Sequence, residues 1–208
     1  MTEWNYILPE KSYSSEESDD SVMSLTKSYS KGRKVLDLAC GAGRHVVYLA
    51  DQGFDVNGAD ISATGLKLAR DRLLKRNLWA NLVRCDMNHL PYDKSCFNIT
   101  ICTRAIYHQG LNSIKETLSE IRRVTKKDGA LLIDFLSKNT YSYRKGVEVE
   151  EGTFLETEGH EKGIIHHYTD EQELRRLFKD FGSVRMFLQE RKHDGKLRSR
   201  WVITATNQ

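Results

Sequence analysis

The stretch Val35-Leu-Asp-Leu-Ala-Cys-Gly-Ala-Gly-Arg44 decides the fold of this 208-residue chain, because it joins a short apolar run to a helical pattern through a tight turn. Gly41 and Gly43 allow the backbone to approach a ligand closely, where a side chain would block it. The helix that follows begins with unpaired backbone N–H groups, which attract polar and anionic ligands. The stretch therefore predicts a ligand site at the carboxyl edge of a sheet.

Two carboxylates narrow the ligand class. Asp60 ends the second predicted strand, where an acidic side chain can accept hydrogen bonds from both hydroxyls of a ribose. Asp37 lies at the end of the first strand, where it would repel a pyrophosphate but attract an ammonium group. The dinucleotide fingerprint also needs a third small residue, which Arg44-His-Val46 does not supply. A ligand with an amino-acid end and a ribose end is S-adenosylmethionine, and a dinucleotide is the alternative.

Apolar runs alternate with helical patterns along the rest of the chain, which predicts βαβ units and a mostly parallel sheet with helices on both faces. Thr169 and Gln172 have the spacing of a capping box and predict a helix that begins there. The C-terminal region predicts two strands joined by a hairpin around Asp194. The predicted strands cover residues 34–38, 54–60, 80–85, 97–102, 130–135, 184–188 and 201–206, and the predicted helices include 112–126.

Composition excludes several classes of protein. Hydrophobic residues make up 39% of the chain and charged residues 29%, which excludes a wholly disordered or low-complexity protein. The 32 basic residues face 29 acidic ones, so charge alone does not favour a nucleic-acid partner. No apolar run is long enough to span a membrane, and the N-terminus has no secretory pattern. The 4 cysteines lack metal or disulfide spacing, so we expect reduced thiols in a cytoplasmic protein without a membrane partner.

Three segments suggest the domain organisation. Residues 1–30 are polar, acidic and rich in serine but contain scattered aromatic residues, which predicts an N-terminal flap or a flexible segment. Residues 31–208 form the predicted ligand-binding domain. Within it, residues 137–167 interrupt the strand–helix alternation, and an interruption of that length in a compact domain is usually functional or disordered. We interpret 137–167 as an insertion that acts as a substrate lid.

Several motifs in a fixed order resemble those of class I S-adenosylmethionine-dependent methyltransferases. VLDLACGAG is similar to the first glycine motif of that family, with Ala39 in the first glycine position. The resemblance extends over nearly the whole chain from Lys34, and the general type is that of the small enzymes similar to ubiquinone- and menaquinone-biosynthesis methyltransferases. It implies a Rossmann-like fold with a seven-stranded sheet and a C-terminal antiparallel hairpin. The other matching motifs are Gly58-Ala-Asp-Ile-Ser62, Arg84-Cys-Asp-Met87 with Leu90-Pro91-Tyr92, and Glu120-Ile-Arg-Arg-Val124 with Lys127-Asp-Gly129.

The resemblance also implies cofactor-binding roles, residue by residue. The methionine end of S-adenosylmethionine would contact residues of the first turn, the ribose the end of the second strand, the adenine the end of the third, and the methyl donor the end of the fourth. Asp86 can instead be a turn residue, Met87 a core residue and Thr103 an ordinary strand end. The implied residues are, in order along the chain, Asp37, Ala39, Gly41, Gly43, Asp60, Ile61, Asp86, Met87 and Thr103.

The sequence indicates less about the methyl acceptor than about the methyl donor. His108 follows the fourth strand and is the predicted catalytic base, because its ordinary pKa is close to neutral; a structural histidine is the alternative. His160, His166 and His167 lie in the insertion, but adjacent histidines often point apart, so we predict no metal site.

We expect a small-molecule acceptor and a monomer or homodimer. The alternatives are an RNA- or protein-directed methyltransferase that uses the basic hairpin at 191–200, and an NAD(P)-dependent oxidoreductase. The sequence does not identify the acceptor atom.

Overall fold

The computed structural model of this chain describes residues 3–8 and 17–208. The helices are α1 (Trp4–Ile7), α2 (Asp20–Thr26), α3 (Arg44–Asp51), α4 (Ala63–Lys75), α5 (Leu111–Val124) and α6 (Glu171–Leu177). The strands are β1 (Lys34–Leu38), β2 (Asp55–Asp60), β3 (Asn81–Arg84), β4 (Phe97–Cys102), β5 (Thr125–Ser137), β6 (Val147–Glu150), β7 (Thr153–Leu155), β8 (Ile165–Thr169), β9 (Gly182–His193) and β10 (Lys196–Thr206). None of the described helices is long and apolar enough to cross a membrane.

The strands form one sheet in which β3, β2, β1, β4 and β5 are parallel neighbours. The C-terminal strand β10 pairs antiparallel with both β5 and β9. This confirms the predicted α/β class, the mostly parallel sheet and the terminal hairpin. The described sheet has ten strands instead of the seven predicted, because β6, β7 and β8 are added at the end of β5.

Alternating side chains of β1 explain why helices cover both faces of the sheet. Val35 belongs to the core formed with α2, α3 and α4, whereas Leu36 belongs to the core formed with α5 and α6. Both residues are fully buried. Consecutive side chains of a strand point to opposite faces, so a strand that is apolar at every position has to be covered on both sides. Asp37 of β1 and Asp60 of β2, the residues predicted to bind a ligand, therefore lie at the carboxyl ends of these strands.

Two local predictions were wrong at element ends. The predicted helix over 112–126 ends at Val124, because Thr125 is buried and its hydroxyl bonds to the Thr100 hydroxyl and the Ile121 carbonyl as β5 begins. The predicted cap Thr169 lies in β8 and donates its hydroxyl to the Leu136 carbonyl.

The helix α6 is instead capped by Asp170, whose Oδ1 accepts a hydrogen bond from the Glu173 N–H at 2.9 Å. Because aspartate caps a helix as well as threonine does, the sheet contact of Thr169 decides that α6 is capped by the next residue.

The interruption at 137–167 is folded. Its strand β8 pairs in parallel with the end of β5, with Ser137 in register with Thr169, and the Lys138 N–H donates to the Thr169 carbonyl at 3.0 Å. The backbone N–H of His167 donates to the Tyr107 carbonyl at 2.8 Å, which attaches the insertion to the loop after β4.

A second attachment joins the insertion to α5. Oε1 of Glu150, at the end of β6, accepts the Leu111 N–H at 2.6 Å. No side chain of the Gly110 cap performs this function, so Glu150 satisfies a helix N-terminus that would otherwise face solvent.

Candidate functional site

The loop between β1 and α3 is tightly folded and places three residues in the left-handed region. The φ angle is 57° at Ala39, 51° at Gly41 and 77° at Gly43. A Cβ atom on Gly43 would lie 2.6 Å from the Cβ of Ala69, so this glycine also allows α3 to approach α4. Left-handed backbone is strained for an L-residue, and Ala39 therefore carries strain that a glycine would not. The turn has the shape that the sequence predicted for a ligand cradle.

Asp60 holds this turn in place. Its Oδ2 accepts the Gly41 N–H and its Oδ1 accepts the Ser62 N–H, both at 2.7 Å. Burial raises the pKa of the Asp60 carboxyl, and the backbone N–H groups oppose that shift. Because each carboxylate oxygen has two lone pairs, both oxygens can still accept a hydrogen bond from a bound hydroxyl. The residue predicted for the ribose therefore also fixes the neighbouring turn.

Asp37 is a buried carboxyl whose Oδ2 has no hydrogen-bond partner among the described residues. Burial raises its pKa to about 8; the nearby Arg44 opposes the shift and Asp60 adds to it. A buried polar atom without a partner is uncommon and indicates a missing ligand group or water. An ammonium group beside Asp37 would supply both a donor and the compensating charge, so the residues present fit an amino-acid ligand.

Ile61, predicted with Asp60 for the ribose, lies at the end of β2, and the residues predicted for the adenine lie at the end of β3. Ile61 is half-buried, and its carbonyl accepts the Arg84 Nε–H at 3.1 Å. Met87 is half-buried and packs against the core. Asp86 is exposed, and its Oδ1 accepts the Asn88 N–H at 2.9 Å, as a turn residue does. The structure thus describes a turn at Asp86, and contact with the adenine stays a prediction.

Thr103, at the end of β4, takes part in a contact that the sequence analysis missed. Its hydroxyl lies 3.0 Å from Nε2 of His45, and Nδ1 of His45 lies 2.8 Å from the Ser18 hydroxyl. Burial lowers the pKa of His45 to about 3, so this imidazole is neutral at physiological pH. His45 follows the glycine turn directly, yet nothing in the local pattern connects it with Ser18 or Thr103.

A salt-bridge cluster lies beside the same turn. Asp19 accepts two hydrogen bonds from the Arg44 guanidinium, at 2.8 and 3.1 Å, and a third from Arg104 at 2.8 Å. These arginines, together with His45 and Arg200, hold the pKa of Asp19 below its usual value although burial opposes them. Asp19 therefore attaches the N-terminal segment to both sides of the predicted cofactor cleft.

The N-terminal helix α1 lies over the cleft. A Cβ atom on Gly41 would lie 3.3 Å from Cδ2 of Leu8, so Leu8 packs directly on the glycine turn. Oδ1 of Asn5 accepts hydrogen bonds from the Ser62 hydroxyl at 2.9 Å and from the Thr64 N–H at 3.3 Å. These contacts bring part of the predicted flap to the predicted ribose site.

His108 lies among aromatic rings beyond the end of β4. Its ring centroid is 4.7 Å from that of Trp4, 4.5 Å from Tyr107 and 4.9 Å from His166. Its Nε2 lies 3.9 Å from Oε1 of Glu161. Burial and the neighbouring His166 lower the pKa of His108 to about 3, and Glu161 opposes the shift. His108 therefore has a neutral, buried ring that packs against Trp4, Tyr107, His166 and Glu161.

The histidines of the insertion point apart, as the sequence predicted for neighbours on one strand. His167 is fully buried, with Nδ1 2.6 Å from the Thr153 hydroxyl and Nε2 3.2 Å from Glu173. His166 faces the opposite side, where its Nε2 lies 3.0 Å from Oε2 of Glu161. One ligand atom from each of His108, Glu161 and His166 lies within 4.8 Å of the others.

Comparison with known proteins bears on this site. Residues 35–129 match the family model described as a methyltransferase domain. A ubiquinone/menaquinone biosynthesis C-methyltransferase from Cupriavidus pinatubonensis is 30% identical over 57% of this chain and 49% of its own length. A ubiquinone biosynthesis O-methyltransferase from Rickettsia akari is 25% identical over 57% of this chain and 46% of its own length. The chain spans about half the length of the curated relatives it matches.

The fold has close counterparts among solved structures. The crystal structure of an S-adenosylmethionine-dependent methyltransferase from Methanosarcina mazei superimposes with a TM-score of 0.78. The match covers 92% of this chain and 98% of the other at 21% identity. At that identity the likeness establishes the Rossmann-like fold.

Proposed function

We propose, from the match of residues 35–129 to the family model described as a methyltransferase domain, that this chain transfers a methyl group from S-adenosylmethionine to a small-molecule acceptor. One observation carries the assignment of the donor site: the unpartnered Oδ2 of Asp37 at the carboxyl edge of the sheet. A nucleotide phosphate beside this carboxylate would be repelled, whereas an amino-acid ammonium would be attracted. The observation therefore favours S-adenosylmethionine over a dinucleotide.

The donor would be held along the ends of β1, β2, β3 and β4. When bound, S-adenosylmethionine supplies an activated methyl group on a sulfonium, and the protein has to orient it toward the acceptor. Asp37 would bind the ammonium group, and Asp60 would accept hydrogen bonds from the ribose. The backbone of the glycine turn would pass close to the ligand, with the adenine beside the end of β3. The further residues proposed for these contacts are Ala39, Gly41, Gly43, Ile61, Asp86, Met87 and Thr103.

The proposed place for a small acceptor is the aromatic cluster around His108. The ring centroids of Trp4, Tyr107 and His166 lie 4.5 to 4.9 Å from that of His108. The centroids of Tyr107 and His166 are 6.2 Å apart. Enclosed apolar pockets with a few polar groups are typical of small-molecule sites. The two relatives named for ubiquinone biosynthesis also favour a small acceptor.

A macromolecular acceptor would need an accessible charged surface, and the basic hairpin is the candidate for it. Arg191 on this hairpin lies 3.8 Å from Asp20, and His193 lies 3.0 Å from Asp194. Each of these side chains thus has a local acidic neighbour, which weakens its attraction for a phosphate backbone. The hairpin therefore gives less support to an RNA-directed enzyme than the aromatic pocket gives to a small acceptor.

His108 is the proposed catalytic residue. Because its ring is neutral, its free nitrogen can accept a hydrogen bond from an acceptor hydroxyl or amine and hold that atom toward the methyl group. A proton taken up by His108 would be stabilised by Glu161, 3.9 Å away. Alignment of donor and acceptor is the main task in such a displacement, and the buried pocket excludes water from it.

We assign three parts to the chain. Residues 31–208 form the methyltransferase domain, and residues 137–167 within it form a lid over the acceptor. Residues 1–30 act as a flap over the cofactor; residues 1–2 and 9–16 of this segment lie outside the described residues. The contacts of Leu8 with Gly41 and of Asp19 with Arg44 and Arg104 support the flap. These contacts have to open when a cofactor enters the cleft.

Calorimetric titration with S-adenosylhomocysteine, and in parallel with NADH, tests the donor site. At pH 8 we expect binding of S-adenosylhomocysteine alone, and a loss of about thirtyfold in affinity, roughly 2 kcal/mol, in Asp37→Asn. The control Asp71→Asn changes an exposed aspartate on α4 and should bind as the parent does. Binding of NADH without binding of S-adenosylhomocysteine would overturn the proposed function.

Methyl transfer itself is tested with radiolabelled S-adenosylmethionine and a fractionated cell extract. We expect label in the dialysable fraction, which contains small molecules. Label only in retained RNA or protein would contradict the small acceptor while leaving the donor site intact. His108→Gln should reduce the transfer rate, and its affinity for S-adenosylhomocysteine should stay within about twofold of the parent, because His108 is assigned to the acceptor.

A further inference from the structure

Three metal-ligating side chains from separate parts of the chain converge in the acceptor pocket. His108 comes from the loop after β4, Glu161 from the turn between β7 and β8, and His166 from β8. Their ligand atoms all lie within 4.8 Å of one another. The closest pair is Oε2 of Glu161 and Nε2 of His166, at 3.0 Å, and Oε1 of Glu161 lies 3.9 Å from Nε2 of His108. One carboxylate thus lies between two imidazoles.

The burial of the cluster makes this arrangement unusual for a surface ion pair. The side chain of His166 is 4% exposed and that of His108 is 9% exposed. The two rings meet edge to face at 4.9 Å. Once the proton between His166 Nε2 and Glu161 is displaced, the Nε2 atoms of both imidazoles and the Glu161 carboxylate can be directed at one small region. A cation there would satisfy all three groups at once, because neutral imidazole nitrogens and carboxylate oxygens are metal ligands.

A second observation comes from the other ring nitrogen of His166. Its Nδ1 is buried and has no hydrogen-bond partner among the described residues, although Oε1 of Glu156 lies 3.5 Å away. A histidine that binds a metal through one nitrogen usually donates its other N–H to a carboxylate or carbonyl, which fixes the tautomer. Glu156 lies where such an outer carboxylate is expected. A small rotation of the ring toward Glu156 would complete this bond.

We propose that His108, His166 and Glu161 bind one divalent first-row transition-metal ion, with Glu156 as the outer partner of His166. Two imidazoles and one carboxylate suit Zn²⁺, Fe²⁺, Co²⁺ or Mn²⁺, whereas Mg²⁺ and Ca²⁺ prefer oxygen ligands throughout. Metal–ligand distances of about 2.0–2.2 Å require neighbouring ligand atoms to lie roughly 3.3 Å apart. The observed separations need only side-chain adjustments to meet that value. This inference departs from the expectation of no metal site.

Three protein ligands leave a coordination position for a water molecule or for a group of the acceptor. A hydroxyl or amine of the acceptor is the chemical class that this position would take, and this part of the inference rests on the proposed function. With the metal bound, His108 acts on the acceptor through the ion instead of as a proton acceptor. Binding of the metal itself does not depend on methyl transfer.

The spacing of these residues explains why no metal motif is visible in the sequence. His108 lies in the loop after β4, His166 lies in β8, and Glu161 lies in a turn outside any regular element. Of the other two histidines of the insertion, His160 is exposed and His167 is directed to Thr153 and Glu173. Only folding of the insertion onto the loop after β4 brings the three ligands together.

Titration of metal-free, untagged full-length protein with Co²⁺ tests the site. We expect one ion per chain, with the intense visible absorption of a low-symmetry Co²⁺ site, and displacement of that ion by Zn²⁺. His166→Gln and Glu161→Gln should each weaken Co²⁺ binding at least a hundredfold, and Glu156→Gln about tenfold. The controls Glu158→Gln, in the same turn, and His193→Gln, in the terminal hairpin, change exposed residues and should bind as the parent does.

Circular dichroism of each variant establishes that it is folded before its affinity is compared. If the folded variants bind Co²⁺ as the parent does, or the parent shows no such absorption, the cluster is a hydrogen-bonded group only and the inference is overturned. Titration of the same samples with S-adenosylhomocysteine separates the two proposals. If the parent binds S-adenosylhomocysteine but no Co²⁺, only the metal site is contradicted; if it binds Co²⁺ but no S-adenosylhomocysteine, only the donor site is contradicted.

Discussion

The two ends of the candidate site are built in different ways. The donor end is formed by a single loop and the ends of adjacent parallel strands, with Asp60 bonding to Gly41 and Ser62 at 2.7 Å. The acceptor end is formed by side chains from three separate segments. His108 and His166 meet there only because the insertion folds onto the loop after β4. A contiguous motif is visible in the sequence because its residues stay together in any fold that contains the loop. A distributed pocket requires the whole tertiary structure.

The largest expected effect lies in the donor end. In Gly43→Ala the new Cβ would lie 2.6 Å from the Cβ and 3.0 Å from the Cα of Ala69, at a φ of 77°. We expect the free energy of unfolding to fall by about 3 kcal/mol, from backbone strain and the clash together. Gly32→Ala has the same φ of 77° but no atom within 4 Å of its Cβ, so strain alone should cost about 1 kcal/mol.

Chemical denaturation of both variants measures the difference. Equal losses would mean that α3 and α4 can separate at little cost, and the donor end would then be less rigid than its contacts indicate.

The second prediction concerns pH and Asp37. Burial raises its pKa to about 8, so the free energy of unfolding should decrease as the pH rises from about 4 to 8, because the folded state binds the proton more tightly. An ammonium ligand favours the ionised carboxylate, so the affinity for S-adenosylhomocysteine should increase about fiftyfold between pH 6 and pH 8. Calorimetric titration across this range measures the increase.

Asp37→Asn should remove most of that pH dependence. The charged and titratable groups beside Asp37 are Arg44, Asp60 and Asp19. Asp19 serves as the comparison, since its pKa is held below the usual value and it stays ionised throughout this range. An affinity independent of pH in the parent would contradict a direct contact between Asp37 and the ligand ammonium.

A third prediction tests whether the donor end and the acceptor end are independent of each other. Thr153 and His167 are both fully buried in the insertion, with Oγ1 and Nδ1 2.6 Å apart. In Thr153→Val the shape is kept, but this hydrogen bond is lost together with the one that the Thr153 hydroxyl donates to Oε1 of Glu150 at 3.0 Å. The free energy of unfolding should therefore fall by about 2 kcal/mol. The affinity for S-adenosylhomocysteine should stay within twofold of the parent, because neither residue reaches the donor end. A large loss of affinity would show that the two ends are coupled through the insertion.

The smallest expected effect is a gain in stability. Ala39 has a φ of 57°, which glycine adopts without strain. Ala39→Gly should therefore raise the free energy of unfolding by about 0.5–1 kcal/mol, after the extra flexibility of glycine in the unfolded chain is subtracted. Thermal melting in the absence of ligand measures it. A decrease instead would indicate that the Ala39 methyl group makes packing contacts worth more than the strain.

Local signals predicted much of the fold. The strands β1 and β4 have the predicted bounds. These features depend on a few consecutive residues and on the alternation of a two-sided sheet. Thr169 marks the limit of such signals, since its hydroxyl bonds to Leu136 in the sheet instead of capping α6.

The candidate site likewise has parts that local sequence signals predict and parts that they do not. The positions of Asp37 and Asp60 follow from adjacent strand ends, because the carboxyl ends of parallel strands share one edge. The contacts of His45 with Ser18 and of Asp19 with Arg104 depend on how the N-terminal segment returns to the sheet. No spacing in the sequence encodes that return, because the partners lie 27 and 85 residues apart in the chain.

The pairing of the end of β5 with β8 has an evolutionary consequence. The insertion leaves the sheet at Ser137 and returns at Thr169, which are in register with each other, and the Lys138 N–H bonds to the Thr169 carbonyl. Because its two ends are neighbours, replacing the insertion by another length of chain changes the closure entropy only slightly. The proposed lid can thus be exchanged at this junction while the residues of the first two strand ends stay in place, and chimeras joined at residues 137 and 169 test whether the lid determines acceptor specificity.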